Sequence, residues 1–279
     1  MAYKTILVHM TDEARSPALV EAGVVLARAS DAHLIGLHVF PAYRLQAPVP
    51  VPFGAEMAAR IRQSIEEETQ RIKAIFERGV TGQNIASEWR AITSERRDAG
   101  SIVLAHASGA DIVIASQADP KWEMTEVLDV ADDLALGSGG PVLVLPVGGA
   151  FPRLPDTITV AWNGKRESVR AVHDALPLLI HAKRVIIVTV GQAAVDDERQ
   201  LPDTELAAAL ARHGVSVEVD RITAGAHTVG EAIRAYAQAQ GSELLVMGCY
   251  GHSRMREFAL GGVTRHMLRD MTMPVLLSH

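Results

Sequence analysis

The sequence predicts an α/β protein built as two tandem doubly wound units, each a five-stranded parallel sheet with helices on both faces. Three observations lead there. The chain repeats its own landmarks in the same order. Its core must be aliphatic, because 48% of residues are hydrophobic but only 4% aromatic, which suits strands buried on both faces beneath Ala-rich helices. Strand-like and helical runs also alternate throughout, which implies parallel pairing through right-handed crossovers.

The repeat comes first, since missing one miscalls a fold. Ile6-Leu7-Val8, a loop and Ser16 are matched by Ile158-Thr159-Val160, a loop and Ser168 at the same spacing. Asp111-Ile112-Val113-Ile114 corresponds to Glu243-Leu244-Leu245-Val246, and Pro141-Val142-Leu143-Val144 to Pro274-Val275-Leu276-Leu277. Between the copies, Pro146 to Pro155 is rich in Pro and Gly and has no period, as a linker would be. The expected division is residues 1–148 and 156–279, with 149–155 as the linker.

Within the first copy, Ser16-Pro17 opens a helix, with Ser as cap and Pro tolerated in the first turn. Leu19, Ala22, Gly23, Leu26 and Ala27 then share a face. His33 to Phe40 reads as the second strand. Pro41 to Gly54, with Pro41, Pro48, Pro50 and Pro52, is too proline-rich for a regular element; it is either a lid or a surface connection. Ile61, Ile65, Ile72, Ile75 and Phe76 mark a long amphipathic helix. In the second copy, Pro177 should kink or shorten the helix begun at Ser168. Arg184 to Val190 is a strand, and the helix around Leu206 to Leu210 stops at Gly214. Val215 to Val219 alternates like a strand, and Thr228-Val229-Gly230-Glu231 has capping-box form, opening a helix that ends near Gly241.

Composition excludes several classes. The net charge is −6 and no dense Lys/Arg run appears, which argues against nucleic acid as a partner. No apolar stretch is long enough to span a bilayer, so no membrane is expected. Cys249 is the single cysteine, so no intrachain disulfide forms and a reducing compartment fits. Met1-Ala2-Tyr3-Lys4 runs straight into a strand, unlike a signal peptide. These readings together predict a cytoplasmic protein. Cys249 near His252 suggests a reactive thiol or a metal pair, but too few ligands accompany it for zinc.

Doubly wound sheets bind ligands beyond the carboxyl ends of their strands, where strand order reverses. The loops after the first and fourth strands of each copy are therefore the places to examine. After Leu244-Leu245-Val246-Met247 comes Gly248-Cys249-Tyr250-Gly251, then nine residues from His252 to Leu260, then Gly261-Gly262-Val263-Thr264 before a helix. The pattern is Gly-x2-Gly-x9-Gly-Gly-x-Thr. Glycines permit close approach of backbone to a ligand, and the N–H groups of a helix N-terminus suit phosphate oxygens. Thr264 either adds a hydroxyl donor or caps the helix. Arg254 and Arg256 either reach phosphates or form a solvated face. Trp162 either stacks on a base or fills space at the sheet edge.

On these residues the chain resembles the universal stress protein family in its tandem two-domain form, over nearly its whole length. The resemblance implies an adenine nucleotide alpha hydrolase-like fold, with ATP or a related adenine nucleotide bound in the second copy, with or without magnesium. Gly248, Gly251 and Gly261 match the family's Gly-x2-Gly-x9-Gly-Ser/Thr, and Gly262 replaces the Ser/Thr, keeping only its backbone N–H. Thr264 matches a further hydroxyl position. In Ala161-Trp162-Asn163-Gly164, Asn163 takes the place of the family's Asp near the adenosine, and Val190 matches an apolar position beside the base. Met247, His252 and Val263 complete the expected site.

The first copy departs further. Gln117 to Glu126 has no glycine pair, and Asp119, Glu123 and Glu126 would repel phosphate. Thr11 stands where the family has Asp, with Asp12 next to it. No nucleotide is expected there, and Gly137-Ser138-Gly139-Gly140, followed by Pro141 and a strand, reads as a turn. The chain has no Walker loop, serine elbow or carboxylate pair, so catalysis would be at most slow ATP hydrolysis. The resemblance implies a stress regulator that changes the surface it offers an unknown protein partner when nucleotide binds. The rival readings are a ligand-free tandem adaptor and a slow ATPase. The copies are expected to pack as an intramolecular pseudo-dimer; a homodimer through edge strands is also open.

Overall fold

The computed structural model describes residues 2–41, 55–94, 99–121, 130–191, 203–249 and 262–279. The first half forms β1 (Thr5–Met10), α1 (Ser16–Ser30), β2 (His33–Pro41), α2 (Ala55–Val80), β3 (Ala86–Ser94), α3 (Ala99–Ala107), β4 (Ile112–Ser116), α4 (Ala131–Gly137) and β5 (Val142–Leu145). The second half follows with β6 (Thr157–Ala161), α5 (Arg166–Leu179), β7 (Arg184–Val190), α6 (Asp203–Arg212), β8 (Val217–Ile222), α7 (Val229–Ala239), β9 (Leu244–Gly248), α8 (Gly262–Asp270) and β10 (Val275–Ser278).

All ten strands join one sheet, in the order β3-β2-β1-β4-β5-β10-β9-β6-β7-β8. Each half contributes five parallel strands, and the halves meet where β10 runs antiparallel to β5, with Leu276 opposite Leu143. Strand order reverses between β1 and β4 and again between β6 and β9. Central strands carry uninterrupted aliphatic runs because both of their faces are covered; every residue of β4 is buried. The outer strand β8 is mostly exposed and correspondingly rich in charge.

Helices divide between the two faces in the same way in both halves. Leu19, Phe76, Leu176 and Leu206, from α1, α2, α5 and α6, belong to one core. Val103, Leu134, Ile233 and Met267, from α3, α4, α7 and α8, belong to the other. Residues 146–156, between β5 and β6, form no regular element, although Phe151 is buried and anchors the crossing to the core.

Local chemistry differs from expectation at several helix ends. Ser16 does not cap an N–H; its hydroxyl donates back to the carbonyl of Asp12. Asp12 Oδ1 instead accepts from the amides of Ala14 and Arg15, at 2.8 and 2.9 Å. Ser168 behaves alike: α5 starts two residues before it, and its hydroxyl donates to the carbonyl of Lys165 at 2.8 Å. Pro177 lies inside α5, which ends two residues later at Leu179, so the proline shortens the helix. The capping box forms: Thr228 Oγ1 accepts from the Glu231 amide, and Glu231 Oε2 from the Thr228 amide. β8 begins at Val217 rather than Val215, because the Val215 amide donates to Leu210 at the end of α6. The proline-rich residues after Pro41, up to Gly54, lie outside the described residues.

Candidate functional site

Beyond the carboxyl ends of β6 and β9 lies a cavity of about 550 Å³. Its lining combines apolar side chains from three strands and a helix with the first turns of three helices. Val188, Val190, Ile233 and Met247 supply the apolar part. Lys165 and Ser168 come from the start of α5, Thr228 to Gly230 from the start of α7, and Gly262 to His266 from the start of α8. Helices convergent in this way follow from a parallel sheet, since each helix leaves the same end of its strand. A helix's first N–H groups have no partner within the helix, and its dipole is positive there. Lys165 and Arg265 add positive charges, Arg269 adds one already paired with Asp270 at 2.7 Å, and no carboxylate lines the cavity among the described residues.

The lining includes Ala161, Trp162, Asn163, Val190, Met247, Gly248, Gly262, Val263 and Thr264, which the structure thus brings together from four separate stretches of chain. Gly251, His252 and Gly261 lie outside the described residues, as do Arg254 and Arg256.

Several of these residues have local roles that spacing could not reveal. A Cβ on Gly248 would stand 2.4 Å from the carbonyl carbon of Glu167 and 2.5 Å from the amide nitrogen of Ser168. Gly248 is therefore required by the first turn of α5, which presses on the end of β9; a ligand is not needed to explain it. Gly262, in contrast, has no atom of the described residues within 4 Å of where its Cβ would be. Asn163 Oδ1 accepts from the Lys165 amide at 3.0 Å and so closes its own loop. Trp162 is buried in the core facing α5 and leads off the central strand β6, so it fills space there and not at the sheet edge. Thr264 is buried in the first turn of α8.

Lys165, Arg265, His266 and Arg269 were not part of the sequence-derived set. For the last three the helix beginning at Gly262 carried the signal, since its first two turns hold Arg265, His266 and Arg269; Lys165 stands directly before α5. His266 Nδ1 lies 3.1 Å from Asp270 Oδ2. The ring packs on α7, where a Cβ at Gly230 would meet His266 Cδ2 at 2.9 Å.

Cys249 is fully buried, its thiol 3.2 Å from the Ala135 carbonyl and 3.3 Å from that of Ser278. Burial pushes its pKa up to about 12, which removes the thiolate a reactive cysteine needs. Among the described residues no group of three or more His, Cys, Asp or Glu could hold a metal ion.

The corresponding place in the first half is built differently. Arg15 is buried beyond β1 and β4; its Nη1 lies 3.0 Å from the Gln117 carbonyl and 3.3 Å from Ser116 Oγ, and its Nε pairs with Asp12. Thr11 is buried beside Asp12. Ser138 Oγ donates to the Gly140 carbonyl at 2.8 Å, and Gly139 has φ of 70°, the geometry of the expected turn. Glu123 and Glu126 lie outside the described residues.

Fold and cavity together define a doubly wound α/β protein whose second-half switch point carries a cleft lined by three helix N-termini. Residues 155–279 match the universal stress protein family. The second half of the chain is thus a domain of that family. The universal stress protein Slr1230 of Synechocystis sp. (strain ATCC 27184 / PCC 6803 / Kazusa) is 34% identical over 90 residues, covering 32% of this chain and 30% of that protein. The match therefore spans less than a third of that relative's own length. Likeness in fold extends over both halves. A universal stress protein from Archaeoglobus fulgidus DSM 4304 superposes with a TM-score of 0.71 at 14% identity, covering 98% of this chain and 95% of that one. A functionally unknown protein from Pseudomonas aeruginosa PAO1 does so with a TM-score of 0.59 at 14% identity, covering 99% and 92%. Among the described residues no helix is long and apolar enough to cross a membrane.

Proposed function

We propose that the chain is a tandem regulatory protein of the stress response, with halves at 1–148 and 156–279 joined by 149–155, whose second half binds ATP or a related adenine nucleotide. One observation carries this reading: three helix N-termini and three cationic side chains open on a cavity whose other wall is apolar. Phosphates fit the first part and a purine the second. The volume, about 550 Å³, falls within the range usual for small-molecule sites. Ala161, Trp162, Asn163, Val190, Met247, Gly248, Gly262, Val263 and Thr264 form the described part of the proposed site, and Gly251, His252 and Gly261 belong to it from the adjoining loop. Magnesium, where carried, arrives as the nucleotide's own complex. The regulatory role rests on the family of the second half, and the compartment we assign is the cytoplasm. Isothermal titration of the full chain with ATP tests the reading: saturable heat with one site per chain supports it, whereas no heat and no thermal shift at millimolar nucleotide leaves the ligand-free adaptor.

A further inference from the structure

The helix that presents Gly262 and Arg265 to the cavity is held at its other end by the first half. Gln117, directly after β4, is buried at the seam between the halves. Its amide nitrogen donates to the carbonyls of Leu268, at 2.9 Å, and Arg269, at 2.7 Å. These carbonyls belong to the last turn of α8, whose final C=O groups have no partner within the helix. The side-chain oxygen of Gln117 accepts from the Val147 amide at 3.0 Å, in the turn that leaves β5. Its backbone carbonyl accepts from Arg15, which is paired with Asp12. One side chain thus joins the cavity helix to the linker turn, and one backbone carbonyl joins it to the loop after β1. That turn and that loop themselves border a second hollow of about 490 Å³, lined by Asp12, Arg15, Ser116 and Val147 among others.

We infer that Gln117 is a positioning residue for the second-half cavity, and that it transmits the state of that cavity to the first half. The inference rests on the nucleotide reading above. A rigid nine-residue helix fixed at its last turn has its first turn fixed as well. Any ligand that draws the first turn inward must also load the bonds at the last. The amide of glutamine suits this place because it donates twice and accepts once. Leucine can do neither, and glutamate can only accept.

The experiment uses the full chain, titrated with ATP well below the melting temperature of each form. Gln117→Leu and Gln117→Glu should both raise the Kd for ATP roughly tenfold, the loss expected for two hydrogen bonds that hold the site in place. In the wild type, saturating ATP should slow hydrogen exchange at the Val147 amide several-fold, and in either variant it should not. A lower melting temperature with unchanged Kd in both variants would overturn the positioning role. Unchanged exchange at Val147 in saturated wild type overturns the transmission, and this readout still decides if the variants fail to fold. An absence of ATP binding to the wild type overturns the nucleotide reading itself, and this inference with it.

Discussion

The two switch points of this molecule share strand order, helix placement and cores, yet their hollows are lined differently: about 490 Å³ beside Asp12, Arg15 and Asp119 in the first half, and about 550 Å³ with no carboxylate among the described residues in the second. In register, His9 on β1 corresponds to Ala161 on β6, and Ser116 at the end of β4 to Gly248 at the end of β9. His9 is buried, and Arg15 lies across the space between β1 and β4. In the second half Ala161 leaves that space open, and Gly248 lets α5 come close. A fold can therefore line equivalent hollows with different chemistry on the same framework, decided by a few side chains where the strands end.

Substitutions that exchange these features test the comparison. The largest effect should come from Gly248→Val, which forces apart the backbones of β9 and α5. We expect a loss of about 3 kcal/mol, at the upper end for overpacking, read from urea unfolding; the mirror change Ser116→Gly should cost well under half as much. A wild-type midpoint for Gly248→Val would mean that the close approach is not rigid.

Arg15→Met comes next. It removes the partner of a largely buried Asp12 and should destabilise the chain by about 2 kcal/mol, without altering nucleotide affinity in the second half more than slightly. Equal stability by thermal melting would show that the arginine does not tie the loop after β1 to the end of β4.

His9 gives the comparison a pH signature. Burial, then the charges of His38 and Arg15, lower its pKa from 6.5 to about 3, and its Nε2 has no hydrogen-bond partner among the described residues. The folded protein keeps His9 neutral while the unfolded chain takes up a proton below pH 6.5. Stability should therefore fall as pH drops from 6.5 towards 3, with a slope from this group of at most about 1.4 kcal/mol per unit. His9→Leu should flatten the curve within that window, and denaturation at pH 4, 5, 6 and 7 measures it. Identical slopes in both proteins would count against a neutral buried histidine.

The smallest change is Gly262→Ser. None of the described residues crowds the position, so stability should hold within about 0.5 kcal/mol. The added hydroxyl at the N-terminus of α8 should tighten ATP binding by roughly threefold, one hydrogen bond at the modest end of its range. Weaker binding in titration calorimetry would place the phosphates elsewhere.

Much of this architecture was legible in the chain. Ile6-Leu7-Val8 and Ile158-Thr159-Val160, spaced alike before Ser16 and Ser168, announced two parallel units, because only strands covered on both faces read as unbroken aliphatic runs. Thr228 and Glu231 announced a helix start through a bond between near neighbours. The residues at the ends of β6, β7 and β9 were legible as a site because the switch-point rule follows from strand order alone. Arg15 was not, since nothing local distinguishes a buried arginine from a surface one. Gln117 was read only as the start of a degenerate loop, and its bonds to Leu268 and Arg269 were not legible because those partners lie in the other half.

By itself, then, the sequence determined the elements, their doubling and the end of the sheet where a ligand would sit, all of which follow from periodicity and short-range hydrogen bonding. Only the tertiary structure decided that β5 and β10 join the halves antiparallel, that Gly248 serves a helix, and that the two hollows are lined with different charge. Those outcomes depend on contacts between residues far apart in the chain, where the volume and charge of one side chain meet a backbone it could not have announced.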